Sequence, residues 1–214
     1  MNRHTLTTVA SALGFIFAAA SPAGAGPNQI SFDMVVSGAA KACLPIARAH
    51  VNIVSNGTAE DMTIFAAGLP ANTDFDFFVI QVPLAPFGLS WYQGDVQTDD
   101  FGNAVQHFRG RFNDETFIVA QAPPAPAPVV HPGGPFPDAA SNPPTNPVHT
   151  FHLGLWFNSP ADAAALGCAA TLTPFNGEHN AGIQVLNTSN FPADFGPLRC
   201  LPDRVNCPVF VGSN

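Results

Sequence analysis

Charged residues are scarce in this chain. They make up 10% of its 214 residues, against about a quarter in an average soluble domain. Lys41 is the only lysine, and the 7 basic and 15 acidic residues give a net charge of −8. Loss of Arg3 with a leader would leave 6 basic residues against 15 acidic ones, a net charge of −9. Because an acidic chain repels phosphates and anionic headgroups, we expect no nucleic-acid partner and leave the ligand or surface partner open.

Long apolar runs are missing after the first 25 residues, so the sequence predicts no membrane span. The run Thr5–Ala20 follows Arg3 and precedes Ser21–Ala25, which ends in the Ala-x-Ala pattern of a signal peptidase site. We therefore predict a signal peptide over residues 1–25 and a secreted or periplasmic mature chain. A lipid anchor is not expected, because the first cysteine, Cys43, lies well beyond the predicted cleavage site.

Catalytic signatures are absent as well. The sequence contains no Gly-x-Ser-x-Gly elbow, no His-Glu-x-x-His pair and no glycine-rich phosphate loop, which excludes the enzyme classes that carry them. We expect no cofactor and interpret the protein as a non-catalytic binding or structural component of the bacterial envelope or exterior. The question of an enzyme stays open, with an extracellular hydrolase as the alternative. Its site would be assembled from dispersed residues: His152, His179, Glu178 and Asp95.

Four cysteines form an even set: Cys43, Cys168, Cys200 and Cys207. In a chain bound for an oxidising compartment they predict two disulfides, with three pairings possible. The short spacing favours Cys200 with Cys207, which leaves Cys43 with Cys168. A four-thiolate metal site is disfavoured because the sequence has no Cys-x-x-Cys pair.

Alternation of apolar and polar residues is the main positive signal. In Ala47–Ile53 the odd positions are apolar, and in Ala104–Phe112 the side chains of Phe108 and Phe112 are predicted to point inward. Asp61–Ala67 is a further strand candidate, rich in Ile and Phe. In Asp74–Val82 both alternating sets are apolar, which predicts a strand at the centre of the sheet.

The second part of the chain starts with a different composition. Prolines and alanines crowd Gln121–Pro147, which predicts an extended connection or disorder, because proline lacks the N–H that a sheet ladder needs. Val148–Phe157 and Gly182–Leu186 again resemble strands. Between them, Ser159 and Pro160 followed by alanines and Gly167 predict a short helix near 160–166, with a serine cap.

These elements predict an all-β fold, an immunoglobulin-like antiparallel β-sandwich with one short helix. Short strands separated by turns rich in Gly, Pro, Asn and Asp are typical of this class. The predicted domain covers residues 26–214 and is interrupted by the Pro/Ala-rich segment at about 121–147.

Two resemblances go with this architecture. Leu69–Val79 resembles the corner before a central strand of fibronectin type III and immunoglobulin-like modules, except that Phe75 stands where the tyrosine would be, so the hydroxyl bond of that corner cannot form. Pro86–Asp95, Gly154–Phe157 and Thr173–His179 resemble a group of uncharacterised exported bacterial proteins. That resemblance implies no activity.

Three aromatic residues, Trp91, Tyr92 and Trp156, are candidate ligand-binding residues, because flat exposed rings stack on sugars in carbohydrate-binding modules. The ordinary alternative is that they pack in the core or at its rim. Burial of all three rings would remove the carbohydrate hypothesis.

Three histidines, His149, His152 and His179, are candidate metal ligands, although no metal site is predicted. Positions 149 and 152 face opposite sides of a strand, so these two side chains do not readily share one ion. His131 is another histidine that could approach them in space. Histidines in solvent or in hydrogen bonds are the simpler expectation.

Two polar clusters complete the candidates. One is an oxygen-rich group that suggests calcium binding: Asp95, Asp99, Asp100 and Asn103. A hairpin loop with Gly102 at positive φ explains this group better. The stripe of His107, Arg109 and Arg111 could meet an anion. An exposed strand face of long polar side chains is the favoured interpretation.

Overall fold

The structure, a computed structural model, describes residues 28–112, 116–118, 147–174 and 180–201. Its strands are β1 (Gln29–Val36), β2 (Arg48–Ser55), β3 (Glu60–Ala67), β4 (Asp74–Ile80), β5 (Ser90–Gln97), β6 (Ala104–Gly110), β7 (Thr116–Ile118), β8 (Pro147–His149), β9 (His152–Phe157), β10 (Thr173–Pro174), β11 (Asn180–Ala181) and β12 (Gln184–Asn187). One α-helix, α1 (Pro160–Ala165), and a 3-10 helix at Pro197–Cys200 complete the elements considered below.

Eight of the strands form a single antiparallel sheet in the order β5-β4-β9-β12-β1-β2-β3-β6, which is nearly closed into a barrel. The all-β class and the short helix are therefore confirmed. Two separate sheets, as in an immunoglobulin-like sandwich, are not shown. The reason lies in β1, where Gln29–Met34 pair with β2 and Val35 and Val36 pair with β12. One continuous strand thus joins what would otherwise be two layers.

We call β1, β2, β3 and β6 the first half, and β12, β9, β4 and β5 the second half. The inward residues of β2 and β3 are buried and apolar, with the exception of the buried Glu60. Inward-facing side chains of the two halves pack on each other, and the Phe77 ring stacks on the Phe108 ring at 5.3 Å. The predicted inward positions of Phe108 and Phe112 are confirmed, since both pack in this main core.

Strand β4 is buried on both faces, as its sequence predicted. Phe75, Phe77 and Val79 belong to the main core, whereas Phe78 and Ile80 belong to a second cluster on the opposite face. We call this second group the outer cluster; its members are Phe78, Ile80, Trp156, Ala181 and the partly buried Phe87. The strand lies second in the sheet order, between β5 and β9, and so is internal but not central.

Two strands of the sheet were not predicted. β1 alternates over residues 31–34, with Phe32 and Met34 buried and Ser31 and Asp33 exposed, and this alternation is visible in the sequence. β5 was hidden by a register shift beside Gly94, which changes the phase of the alternation. The stretch predicted as one strand over Val148–Phe157 is divided into β8 and β9.

The corner at residues 69–75 is fixed by Thr98. Its hydroxyl donates to the carbonyl oxygen of Pro70 at 2.6 Å and accepts from the N–H of Thr73 at 2.9 Å. Phe75, at the position of the missing tyrosine, is fully buried and packs on Phe157. A hydroxyl from a neighbouring loop thus holds this corner.

Helix α1 has the predicted ends. Ser159 is its N-cap, and its hydroxyl oxygen accepts from the N–H of Asp162; Pro160 opens the first turn. Gly167, just beyond the helix, has φ of 73°. The helix follows β9 directly, and Ala163 packs into the main core.

The disulfide Cys43–Cys168 is confirmed, with the two Cα atoms 5.3 Å apart. Cys43 lies in the connection between β1 and β2, and Cys168 follows α1, so the bond links the first half to the second. Cys200 is also disulfide-bonded; its predicted partner, Cys207, lies outside the described residues. A disulfide indicates an oxidising, extracytoplasmic location.

Several predictions fall outside the described residues. They include the signal peptide and most of the Pro/Ala-rich segment. The strands on either side of residues 119–146, β7 and β8, pair with each other, so the described ends of this segment lie together. Within the described ranges, no helix has the length and apolar character to cross a membrane.

Candidate functional site

The aromatic candidates lie on and beside β5, at one end of the sheet order. Trp91 pairs with Val79 and Tyr92 with Phe78 across the β4–β5 ladder, so the two rings project to opposite faces. Their exposed fractions are 48% and 44%, whereas Trp156 is completely buried in the outer cluster. The structure therefore brings no two of these rings into one exposed plane. We call Trp91, Tyr92, Gln93, Asp95 and Gln97 the β5 surface.

Tyr92 is oriented by a carboxylate. Its hydroxyl donates to Oδ1 of Asp95 at 2.5 Å, and its ring lies 5.4 Å from that of Phe78. Partial burial raises the pKa of Tyr92 above its usual value, and the hydrogen bond to Asp95 and the negative charges of Asp95, Asp76 and Asp74 add to this shift. The phenol is therefore a neutral donor throughout the ordinary pH range.

Asp76 marks the boundary between the β5 surface and the outer cluster. It is opposite Asp95 on one side and Trp156 on the other, and it is fully buried. Three acidic side chains thus occupy neighbouring register positions on β4 and β5: Asp74, Asp76 and Asp95. Next to the outer cluster, this makes the surroundings of Tyr92 both apolar and negatively charged.

His152 is a buried structural histidine. It is 0% exposed, its Nδ1 lies 2.9 Å from the Thr188 hydroxyl, and its Nε2 lies 3.2 Å from the Ala193 carbonyl oxygen. Since a carbonyl only accepts, Nε2 carries the proton and Nδ1 accepts from Thr188. Burial lowers the pKa of His152 to about 4. Both ring nitrogens are occupied, so the neutral ring has no free lone pair for a metal.

The other histidine candidates do not join it. His149 is exposed and stacks on Phe151 at 5.2 Å. His179 and His131 lie outside the described residues. In the part of the chain that the structure describes, no three His, Cys, Asp or Glu side chains are grouped so that they could hold a metal ion.

The hydrolase candidates that can be located lie far apart. His152 pairs with Ile80 and Asp95 pairs with Asp76 on the same strand. Ile80 and Asp76 are four residues apart on β4, so His152 and Asp95 are separated by about 13 Å along the strand direction. Glu178, like His179, lies outside the described residues, so the structure places only part of this set.

The acidic loop after β5 is a turn, as favoured by the sequence. Oδ1 of Asp99 accepts from the N–H groups of Phe101 and Asn103 at 2.8 and 2.9 Å, and these bonds lower the pKa of Asp99. Gly102 has φ of 74°, and a side chain there would overlap the carbonyl of Leu69. The residues around this turn line a shallow surface depression of about 320 Å³: Gln97, Thr98, Asp99, Asn103, Ala104 and Val105.

The basic stripe is an exposed strand face with local partners. Nη1 of Arg109 lies 3.4 Å from the carboxylate of Asp61, Nη1 of Arg111 donates to the Thr58 carbonyl, and His107 bonds to the Thr63 hydroxyl. Pairing with these neighbours is the arrangement expected of an ordinary solvated face.

Sequence reasoning missed the buried polar residues of the second half. Gln184 donates to the Pro83 carbonyl and accepts from the side chain of Asn187, and Thr188 bonds to His152. Asp76 is the clearest available signal, because an acidic residue interrupts a strand that is otherwise apolar on both faces. Buried polar groups need partners, so such an interruption indicates a specific polar arrangement.

No known family model matches the chain. No curated protein matches it either.

Proposed function

We propose that this chain is an exported, non-catalytic binding protein and that its ligand contacts the β5 surface. The observation that carries the proposal is the exposure of Trp91 and Tyr92, 48% and 44%, on a strand at one end of the sheet order. Half-exposed aromatic rings beside polar side chains are typical of recognition surfaces, since they supply large contact areas at low entropic cost.

The position of the described candidates supports binding over catalysis. The ring of His152 is committed to Thr188 and Ala193, and Asp95 is committed to the hydroxyl of Tyr92. A general acid or base must reach a substrate proton. A buried ring whose two nitrogens are both hydrogen-bonded within the protein does not reach one.

Export by a cleaved signal peptide is part of the proposal. The disulfide Cys43–Cys168 supports an oxidising destination, and the leader pattern of residues 1–25 would direct the chain there. The immunoglobulin-like sandwich arrangement of the sheet is also part of the proposal. Its support is that β1 divides its pairing between two four-stranded halves.

Binding is tested with the purified chain from residue 26 and a panel of soluble oligosaccharides, purified peptidoglycan and synthetic peptides, by isothermal calorimetry. Because the two rings project to opposite faces, the variant that removes the ring facing the ligand, Trp91→Ala or Tyr92→Ala, is expected to weaken any interaction found by about tenfold or more, as loss of an aromatic anchor does. Phe101→Ala is the control, since Phe101 is 85% exposed and lies outside the β5 surface. Binding that both β5 variants retain while Phe101→Ala loses it would contradict the proposed surface.

A carbohydrate-binding module is the second candidate, and the Tyr92–Asp95 pair favours it. A ring with a carboxylate at its edge can stack on a sugar while the second carboxylate oxygen, Oδ2 of Asp95, accepts from a sugar hydroxyl. Tyr92→Phe should then retain most of the affinity that Tyr92→Ala loses, because the ring remains. An equal loss of affinity in Tyr92→Phe and Tyr92→Ala would assign the interaction to the hydroxyl of Tyr92 and not to stacking of its ring.

A further inference from the structure

The ring of His152 fastens a surface loop to β9. The loop comprises residues 189–196, and we call it the latch loop. Nε2 of His152 donates to the carbonyl oxygen of Ala193 within the loop, and Thr188, at its start, donates its hydroxyl to Nδ1. The Thr188 oxygen also accepts from the N–H of Leu153 at 3.1 Å. One buried ring thus joins β9 to both the start and the middle of the latch loop.

The latch loop is also attached to β1 and to the connection between β8 and β9. Asn190 donates to the carbonyl oxygen of Asp33 at 3.0 Å, and the Phe191 ring meets the edge of Phe32 at 5.7 Å. Gly196 packs so closely on Phe151 and His152 that a Cβ there would overlap them. Five of its eight residues are exposed. Opening the loop therefore breaks these contacts and admits water to the ring of His152.

The charges around His152 are few. Asp194, in the latch loop and exposed, is the charged side chain that acts on it electrostatically. Arg199, on the following 3-10 helix, donates to the backbone oxygen of Asp194. From the neighbouring strands, Ile80 of β4 and Asn187 and Thr188 at the end of β12 are uncharged. Among the residues that the structure describes, a proton on Nδ1 would therefore be compensated by one exposed carboxylate and by backbone carbonyls.

We propose that His152 is an acid-sensitive latch: the neutral ring holds the latch loop on β9, and protonation of Nδ1 abolishes the hydrogen bond that Nδ1 accepts from Thr188 and releases the loop. A protonated Nδ1 can no longer accept from Thr188. The nearest alternative acceptor for that hydroxyl is the carbonyl of Leu153 at 3.5 Å, which is too long for a good hydrogen bond. Opening the loop allows water to solvate the imidazolium, and it exposes the rings of Phe32 and Phe191.

The size of the effect follows from linkage. The pKa of His152 is about 4 in the closed protein, against 6.5 for a solvated ring. At pH 5 nearly all open molecules carry the proton and few closed ones do. The opening equilibrium constant is therefore expected to rise about 20-fold between pH 7 and pH 5.

Amide hydrogen exchange of the intact mature chain tests this. The probes are the N–H groups of Phe195 and Leu198, which donate to the carbonyls of Pro192 and Phe151 at 2.9 and 3.2 Å. Their protection factors, corrected for intrinsic exchange, should fall about 20-fold from pH 7 to pH 5. Because local opening exposes little surface, this loss should not depend on low urea concentrations, whereas exchange of core amides such as Ile53 should.

His152→Gln retains a donor and an acceptor but cannot titrate, so its latch-loop protection should be the same at both pH values. His149→Gln, at an exposed neighbouring position, is the matched control and should keep the wild-type loss. If His152→Gln fails to fold, the test uses the wild type alone. The loss of latch-loop protection with pH is then compared with the titration of the His152 ring followed by NMR, and the two must coincide because loop opening follows ring protonation.

Two results would overturn the latch. One is latch-loop protection that stays constant between pH 7 and pH 5. The other is a loss that has the same urea dependence as the core amides, since this would mean global unfolding. Neither result depends on the β5 surface, so the latch and the proposed function succeed or fail separately.

Discussion

The two halves of the sheet bury different amounts of their surface. In the first half, one face of β2 and β3 packs in the main core and the other is exposed and largely polar. In the second half, β9 and β12 are buried throughout, and β4 from its second residue onward. The outer cluster covers β4 and β9 of the second half, and the buried polar residues His152, Gln184 and Asn187 also belong to this half.

This difference indicates where sensitivity to substitution concentrates. A strand with one wet face tolerates change on that face, whereas a strand covered on both faces meets a packed environment at every position. The β5 surface and the latch loop both lie next to the doubly buried strands. Four predictions test the comparison, starting with the bond that joins the halves.

The largest effect is expected from removal of the disulfide between the halves. The bond closes a loop with a sequence separation of 125, so Cys43→Ser with Cys168→Ser should lower the free energy of unfolding by up to about 5 kcal/mol. Urea denaturation measures the loss. Cys200→Ser with Cys207→Ser is the control for the shorter predicted loop, at about 2.5 kcal/mol. Equal losses in the two double variants would contradict a special role for the inter-half bond.

Exchange of an aromatic residue tests the difference in burial. Trp156 is fully buried in the outer cluster, and Phe65 on the first half is 46% exposed. Trp156→Ala should cost about 3–5 kcal/mol, and Phe65→Ala less than about 1 kcal/mol. Chemical denaturation of both variants gives the two values. A cost at Phe65 that equals the cost at Trp156 would show that the first half is also covered on its outer face.

Acid should weaken the second half through His152. The unfolded chain takes up a proton near pH 6.5, but the folded one takes it up only near pH 4. The contribution of His152 to the free energy of unfolding is therefore fully present above about pH 6.5. It decreases as the pH falls toward 4, by about 3 kcal/mol in total. Denaturation midpoints between pH 7 and pH 4 should show this slope in the wild type and a smaller slope in His152→Gln. Identical slopes would assign the acid sensitivity to other groups.

The smallest effect concerns the cap of α1, which follows the doubly buried β9. Ser159→Ala removes the oxygen that accepts from the N–H of Asp162 and should cost about 1 kcal/mol. Ser159→Asn retains a capping acceptor and should be close to wild type. Thermal unfolding distinguishes the two variants, and an unaffected Ser159→Ala would show that packing of Ala163 alone holds the helix.

Prediction from sequence succeeded where periodicity was undisturbed. The alternation in β2, the strand composition of β3, the two apolar faces of β4 and the capped helix are all visible in single short segments. The Cys43–Cys168 pair was instead predicted by elimination, from the short spacing of Cys200 and Cys207. The single sheet was not predictable in this way, because it depends on β1 changing partners after Met34. The change of partner depends on contacts between strands that are far apart in the sequence, so it leaves no local pattern.

The candidate site was predicted less well for a related reason. Trp91 and Tyr92 are exposed, yet the register shift at Gly94 and the burial of Trp156 by Phe78 and Phe87 decide which rings are available. His152 was recognised as a candidate ligand, but its partners Thr188 and Ala193 are 36 and 41 residues away. Contacts over such distances come from the fold and not from spacing.

The two tryptophans measure the central claim directly, because they are the only ones in the chain and both lie in the second half, Trp156 on the doubly buried β9 and Trp91 on the exposed β5. Acrylamide quenching is recorded for Trp91→Phe, which leaves Trp156, and for Trp156→Phe, which leaves Trp91. We predict blue-shifted emission that resists quenching in the first variant and red-shifted, readily quenched emission in the second. Equal quenching of the two would contradict a second half that is covered on both faces and ends in an open β5 surface.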